Sequence, residues 1–209
     1  MKRPKRTVIR PQALTVGGIP RKFIDTSIND FCSYGRKDLK RVKDFVVEYL
    51  EAINQQMPLK KYKGICFFGS NGTGKTMLSS IILKEAYINR FTFNRVTFLN
   101  YIKTYTASWN KPNENEIEDE TAIKAVDFLC IEEIGKEIDS KINVSILEDL
   151  LRYREDNCLP TIICTNLSPD DLSERYGKSI MSLIKGNTVP VQIADVDRRS
   201  CTNEARWDF

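Results

Sequence analysis

An α/β fold, a five-stranded and mainly parallel sheet flanked by helices, is predicted from three observations. Short apolar runs recur at 65–68, 96–99, 128–131, 161–164 and 189–193. Segments with apolar residues at helical spacing alternate with them, as strand–helix–strand units of a parallel sheet require. The first run also opens into a glycine-rich loop and then a helix.

Taken in order, residues 1–20 hold Pro4, Pro11, Pro20 and the Gly17-Gly18 pair among Lys2, Arg3, Lys5, Arg6 and Arg10. This predicts a flexible basic arm, either a solvated tail or a contact arm for DNA or a protein. Residues 21–209 then form one domain, which suits the length. Leu39, Val42, Val46, Leu50 and Ile53 share one helical face. The apolar run 65–68 is a buried strand, 77–89 a helix, 96–99 a second strand, and 101–109 a further helical stretch. KPNENEIEDE (111–120) is expected as a polar, acidic surface segment. The third strand is 128–131. Val144, Leu147, Leu150 and Leu151 face one way on a helix that Pro160 ends. The fourth strand is 161–164, Ser168-Pro169 opens the last helix as N-cap and first turn, and 189–193 is the fifth strand.

Composition removes several kinds of chemistry. The chain has no His, which excludes a His triad, a His base and His metal ligands. Its six cysteines form no CxxC, so spacing shows no zinc site. Cys66, Cys130 and Cys164 fall inside apolar runs and are expected as reduced core thiols of a cytoplasmic protein. MKRPKR is followed by no apolar h-region, and no apolar run reaches membrane-spanning length. A net charge of +4 is too small to argue for nucleic acid by itself.

GSNGTGKT, from Gly69 through Ser70, Asn71, Gly72, Thr73, Gly74 and Lys75 to Thr76, matches G-x-x-x-x-G-K-[ST] in full. It also has the strand before and the helix after that the P-loop needs. Glycines let backbone N–H groups converge on phosphate oxygens, and the helix N-terminus adds a favourable dipole. Lys75 can reach the β- and γ-phosphates of ATP, and Thr76 can offer its hydroxyl to Mg²⁺. FLCIEEIG (128–135) supplies the matching acids. At the end of a neighbouring parallel strand Glu132 faces the Mg²⁺ on Thr76, and Glu133 orients and deprotonates the attacking water. Here Glu132 stands where such strands usually carry Asp.

GSNGTGKT, FLCIEEIGKE and LPTIICTNLSPDDL together resemble the AAA+ ATPases of the DnaC/DnaI type, the loaders of the replicative DNA helicase, with the transposition ATPase IstB as a relative. IPRKFIDTSINDF (19–31) is similar to the segment before the nucleotide fold in that family, and the resemblance runs from about residue 19 to 200. It implies an AAA+ type P-loop NTPase using ATP and Mg²⁺. Its partners would be the replicative helicase and single-stranded DNA, with self-assembly an option. Asn166 takes the place of the polar residue that senses the γ-phosphate. DVDRR (195–199) is similar to the family's terminal motif, with Arg199 the nucleotide contact and Arg198 second. YIKTYTASW (101–109) lies where the family grips DNA. Lys103 would meet phosphate and Tyr101, Tyr105 and Trp109 would stack on bases, although their spacing equally describes a packed face.

Two departures stand out. The family's GxRxxxR segment, with its arginine finger, is matched by Gly177-Lys178-Ser179 onward, and Ser179 and Leu183 replace both arginines. No separate helicase-binding domain is expected before residue 20. The predicted activity is therefore slow ATP hydrolysis in a helicase loader. The alternatives are an IstB-like transposition ATPase, a small-molecule or nucleotide kinase, or a binding switch that scarcely hydrolyses ATP.

Overall fold

The computed structural model describes residues 10–110 and 114–194, with the backbone alone at 108–110 and 114–119. Its helices are α1 (Pro11–Val16), α2 (Lys37–Asn54), α3 (Lys75–Ile88), α4 (Phe98–Asn110), α5 (Glu114–Ala125), α6 (Lys141–Asp156) and α7 (Pro169–Asn187). Its strands are β1 (Gly64–Phe68), β2 (Phe93–Thr97), β3 (Phe128–Ile134), β4 (Thr161–Thr165) and β5 (Thr188–Gln192). They form one sheet in the order β2-β3-β4-β1-β5, and every pair is parallel.

The apolar runs are continuous because both faces of the sheet are covered. Ile65, Phe67, Phe128 and Cys130 pack on one side with α2 and α3, through residues such as Val46 and Leu78. Cys66, Phe68, Leu129 and Ile131 pack on the other with α4, α6 and α7, through Tyr101, Leu147 and Ile180. The α/β prediction is met, and the sheet is parallel throughout. Ser168 caps α7 as expected, in a reciprocal capping box with Asp171, and Pro169 takes the first turn.

Several boundaries differ from expectation for physical reasons. The arm expected over 1–20 joins the body from Arg10 onward, because α1 buries Leu14 and the turn after it buries Ile19. Residues 1–9, with the four basic residues there, lie outside the described residues. The second strand runs 93–97 rather than 96–99. Phe98 already begins α4, where the Thr97 hydroxyl accepts from the Asn100 amide at 3.3 Å. The acidic stretch expected as a surface segment lies largely in α5. In that helix buried Glu120 accepts from the Tyr101 hydroxyl at 2.7 Å and pairs with Lys124 at 3.2 Å.

Candidate nucleotide site

The carboxyl ends of the parallel strands meet at a cavity of about 980 Å³, lined by Asn71, Gly72, Gly74, Lys75 and Thr76 of the loop between β1 and α3. Gly72 and Gly74 hold φ of 81° and 105°, the left-handed region that glycine occupies without a Cβ penalty. A Cβ at Gly69 would lie 2.5 Å from the Ile193 carbonyl oxygen. That strand end is closed by the Ile193 amide donating to Phe68 O at 2.8 Å. Beneath the loop Thr73 is fully buried and donates to Ser70 O at 3.1 Å. Lys75 Nζ folds back onto the loop, donating to Gly69 O and to Ser70 O at 2.6 Å.

β3 delivers the two acids in different ways. Glu132 is buried, with Oε2 accepting from the Thr76 hydroxyl at 3.2 Å and Oε1 from the Ser79 hydroxyl at 3.1 Å. Its counter-ion is Arg95 of β2, a residue absent from the sequence expectations. Burial alone would lower the Arg95 guanidinium, but the hydrogen bond and charge of Glu132 outweigh it and raise its pKa. In a regular strand Glu133 would point to the opposite face from Glu132. The pairing with β4 shifts register between Glu132 and Ile134, and Glu133 takes a φ of 62°. This bulge re-aims Glu133 so that both acids line the cavity. A non-glycine residue in that region carries strain of about 1–3 kcal/mol, a kind of outlier that clusters at functional sites. The Glu133 carboxylate is half-exposed and paired with Lys136 at 2.7 Å.

Asn166 stands just past β4, and its Nδ2 donates to Asn71 Oδ1 of the phosphate loop at 2.9 Å. The expected catalytic set of Glu133, Lys75 and Asn166 thus shares one cavity with the expected metal pair of Thr76 and Glu132. Arg199 and Arg198 lie outside the described residues. A hydroxyl and a carboxylate oxygen at this spacing are hard donors of the kind Mg²⁺ takes, so the residues present fit that ion. Cys130, Glu132 and Cys164 also bring ligand atoms within 4.8 Å of one another. Burial, helped by Cys130 and Glu132, pushes the Cys164 thiol well above its ordinary range, as befits a core thiol.

The opposite wall was not foreseen as part of the site. It comes from the lead-in, where Pro20, Lys22, Phe23, Thr26, Asp30 and Tyr34 line the cavity. Lys84 of α3 ties this segment down by donating to Ile24 O at 2.9 Å and to Thr26 O.

Two expectations for DNA contact need correction. Tyr101 is fully buried among α4, α5 and β3, and its hydroxyl is engaged by Glu120, so its ring is part of the core and cannot stack on a base. Tyr105 is half-buried beside it, with ring centroids 6.2 Å apart, and packs on the same core. Lys103 is exposed, on the same side of α4 as exposed Leu99 and Asn100. The Trp109 side chain lies outside the described residues. Tyr101→Ala should lower the unfolding free energy by about 3–5 kcal/mol, as for other large buried side chains, in a urea titration. A loss below about 1 kcal/mol would return Tyr101 to the surface.

The positions lacking the family's arginines are committed elsewhere. Ser179 donates to Glu148 at 2.8 Å and accepts from Arg152 at 3.2 Å, and Leu183 is buried. Arg175 nearby pairs at 3.1 Å with buried Glu137, which also accepts from the Gly135 amide at 3.0 Å. Among the described residues no helix is long and apolar enough to cross a membrane.

Known proteins resemble this chain in sequence and in fold. The chain is similar to the replicative helicase loader DnaI of Bacillus subtilis (strain 168), 25% identical over 138 residues, which are 63% of this chain and 41% of that protein. It is likewise similar to the replicative helicase loader DnaC of Escherichia coli (strain K12), 24% identical over 124 residues, 59% of this chain and 51% of that one. The chain thus spans about half the length, or less, of these curated relatives. A crystal structure of the DnaC helicase loader superposes with a TM-score of 0.71 at 19% identity, covering 83% of this chain and 99% of that one, which shows a shared fold. Residues 65–180, from β1 through both acids into α7, match the family model, and the chain belongs to the ATPase family associated with various cellular activities (AAA).

Proposed function

We propose that this chain is an ATP-dependent loader of the replicative DNA helicase, with slow intrinsic hydrolysis. The observation that carries the ATP part is Glu132 held against Thr76 under the phosphate loop, with Glu133 re-aimed into the same cavity. Lys75 and the loop amides would hold the phosphates, and Thr76 with Glu132 would hold Mg²⁺, which offsets charge developing on the phosphoryl oxygens. Glu133 would take the proton of the attacking water, and Asn166, joined to Asn71, would orient that water. The helicase as client is supported by the relatives, both named as replicative helicase loaders.

Two features of the site support slow turnover. The ion pair with Lys136 occupies the Glu133 carboxylate, and the positions of the missing arginines offer no cation to a neighbouring copy. Co-purification with the cognate helicase, with stoichiometry measured with and without ATP, tests the client. No complex under either condition would remove the helicase from the proposal. Glu133→Gln should keep ATP affinity and lower turnover by about 10²–10⁴-fold with helicase and DNA present, the usual contribution of a general base. Equal rates would favour a second reading, an ATP-binding switch that scarcely hydrolyses, for which the Glu133–Lys136 pair is the supporting observation.

Single-stranded DNA is the further proposed partner, with Lys103 as its contact on α4. Lys103→Ala should weaken single-stranded DNA binding about two- to threefold in a fluorescence titration at low salt, an effect that shrinks as salt rises. Unchanged binding would move the DNA path away from α4.

A further inference from the structure

Arg95 sits at the wall of the nucleotide cavity, and its guanidinium pairs with Glu132 Oε2, the same oxygen that accepts the Thr76 hydroxyl. The pair is nearly dry, the two side chains being 16% and 5% exposed. Arg95 Nη1 also donates to Gly18 O at 3.0 Å, and the Arg95 amide to Gly17 O at 2.9 Å. Gly18 lies so close that a Cβ there would be 2.1 Å from the Arg95 carbonyl oxygen. Arg95 Nε, in contrast, is buried with no hydrogen-bond partner among the described residues. A purely structural arginine in a dry site normally has each buried donor satisfied. This one leaves a donor unused at the edge of a cavity built for phosphate.

A second cation cannot settle between Thr76 and Glu132 while a guanidinium keeps Oε2, since like charges would then share one poorly solvated oxygen. We propose that Arg95 is the counter-ion of Glu132 in the metal-free protein, a positioning residue that a divalent cation must displace from Oε2 as it enters with the nucleotide. The inference rests on the ATP reading of the site and names its regulation. Arg95 keeps Glu132 aimed at Thr76 before the metal arrives. Its displacement removes a donor from Gly18 O, so the lead-in bearing Pro20 and Phe23 loses a tie to β2 as the site fills.

Mn²⁺ binding followed by electron paramagnetic resonance tests this on wild type, Arg95→Met, Arg95→Lys and Glu132→Gln, first without nucleotide and then with a non-hydrolysable ATP analogue. An adjacent opposite charge changes a carboxylate's hold on a proton by about ten- to a thousandfold, and competition for a metal at one oxygen is of the same kind. Arg95→Met should therefore bind Mn²⁺ with a midpoint about tenfold lower than wild type, Arg95→Lys should fall between them, and Glu132→Gln should bind more weakly than wild type. Equal midpoints for wild type and Arg95→Met, or weaker binding by the variant, overturn the proposal. Should Arg95→Met fail to fold, Arg95→Lys decides alone, and it must still bind more tightly than wild type. Failure of the ATP reading looks different. The analogue then shifts no midpoint in any of the four proteins, while the order of the nucleotide-free midpoints still reports on Arg95.

Discussion

Lys75→Ala should weaken ATP binding at least a hundredfold and leave the protein folded. In the structure the ammonium donates to the loop's own carbonyls, Gly69 O and Ser70 O. A bound triphosphate would offer it charged acceptors instead, and hydrogen bonds between ions contribute about 1.5–3 kcal/mol each. Losing two of them costs about 3–6 kcal/mol, and a hundredfold change in affinity corresponds to only about 2.8 kcal/mol. The loop does not depend on this side chain for its shape. Its turns are set by the positive φ of Gly72 and Gly74, by Thr73 donating to Ser70 O, and by Ile193 closing on Phe68. Titration with a fluorescent ATP analogue reads the affinity, and a thermal melt followed by circular dichroism checks the fold. An affinity within tenfold of wild type, in a variant that melts normally, would take Lys75 out of the phosphate site.

The residues legible in the sequence are those whose chemistry leaves little choice of type. GSNGTGKT announces a phosphate loop because only glycine tolerates its backbone and only a cation suits its ligand. The acids of FLCIEEIG gain meaning once a parallel sheet is assumed, since strand ends then converge on one edge, and the resemblance to DnaC and DnaI read from these motifs is met by the relatives found. Arg95 stayed hidden for a different reason. One arginine in FNRVT looks like a solvated strand residue until the register sets it across from Cys130 and beside Glu132. That pairing joins strands far apart in the chain, and FNRVT by itself does not show which residue lies opposite. Tyr101 was misplaced because one spacing serves a stacking face and a packed face alike, and the choice lay in α5. That helix escaped notice because its sequence shows no apolar stripe; Glu120 and Ile123 are among its residues turned toward the core. The bulge that turns Glu133 into the cavity was not legible, since a φ of 62° at a glutamate is imposed by the turn around it and not by its own preference.

Arg154→Met should cost about 3–5 kcal/mol of stability, as breaking a buried charged network does. In LRYRED the arginine looks like one more charged position on the solvent side of a helix. In the fold its side chain is only 1% exposed, at the end of the sheet away from the phosphate loop. Nε donates to the Thr161 hydroxyl at 2.8 Å, Nη1 to Lys124 O at 2.7 Å and Val126 O at 2.9 Å, and Nη2 to Pro160 O at 2.7 Å and Asp127 O at 3.2 Å. One guanidinium therefore closes the end of α5 and the entries to β3 and β4. Burial pulls its pKa down to about 9, which still leaves it charged at neutral pH. The cation also suits the carbonyls at the end of α5, the negative pole of that helix. Methionine keeps much of the length and apolar stem but donates nothing, so four backbone carbonyls and a hydroxyl lose their common donor at once. Against a typical total of about 5–15 kcal/mol this is a large share, and it should lower the melting temperature by roughly 6–20 °C. Arg154→Lys should recover part of the loss, because an ammonium has three donors and no fork. Nucleotide affinity at low temperature should stay within about twofold of wild type in both variants, since two sites at opposite ends of the sheet with no shared partners act nearly independently. A urea midpoint unchanged in Arg154→Met would mean that water satisfies these carbonyls as well as the arginine does. A large loss of nucleotide affinity in a folded variant would instead make the far end of the sheet part of the site.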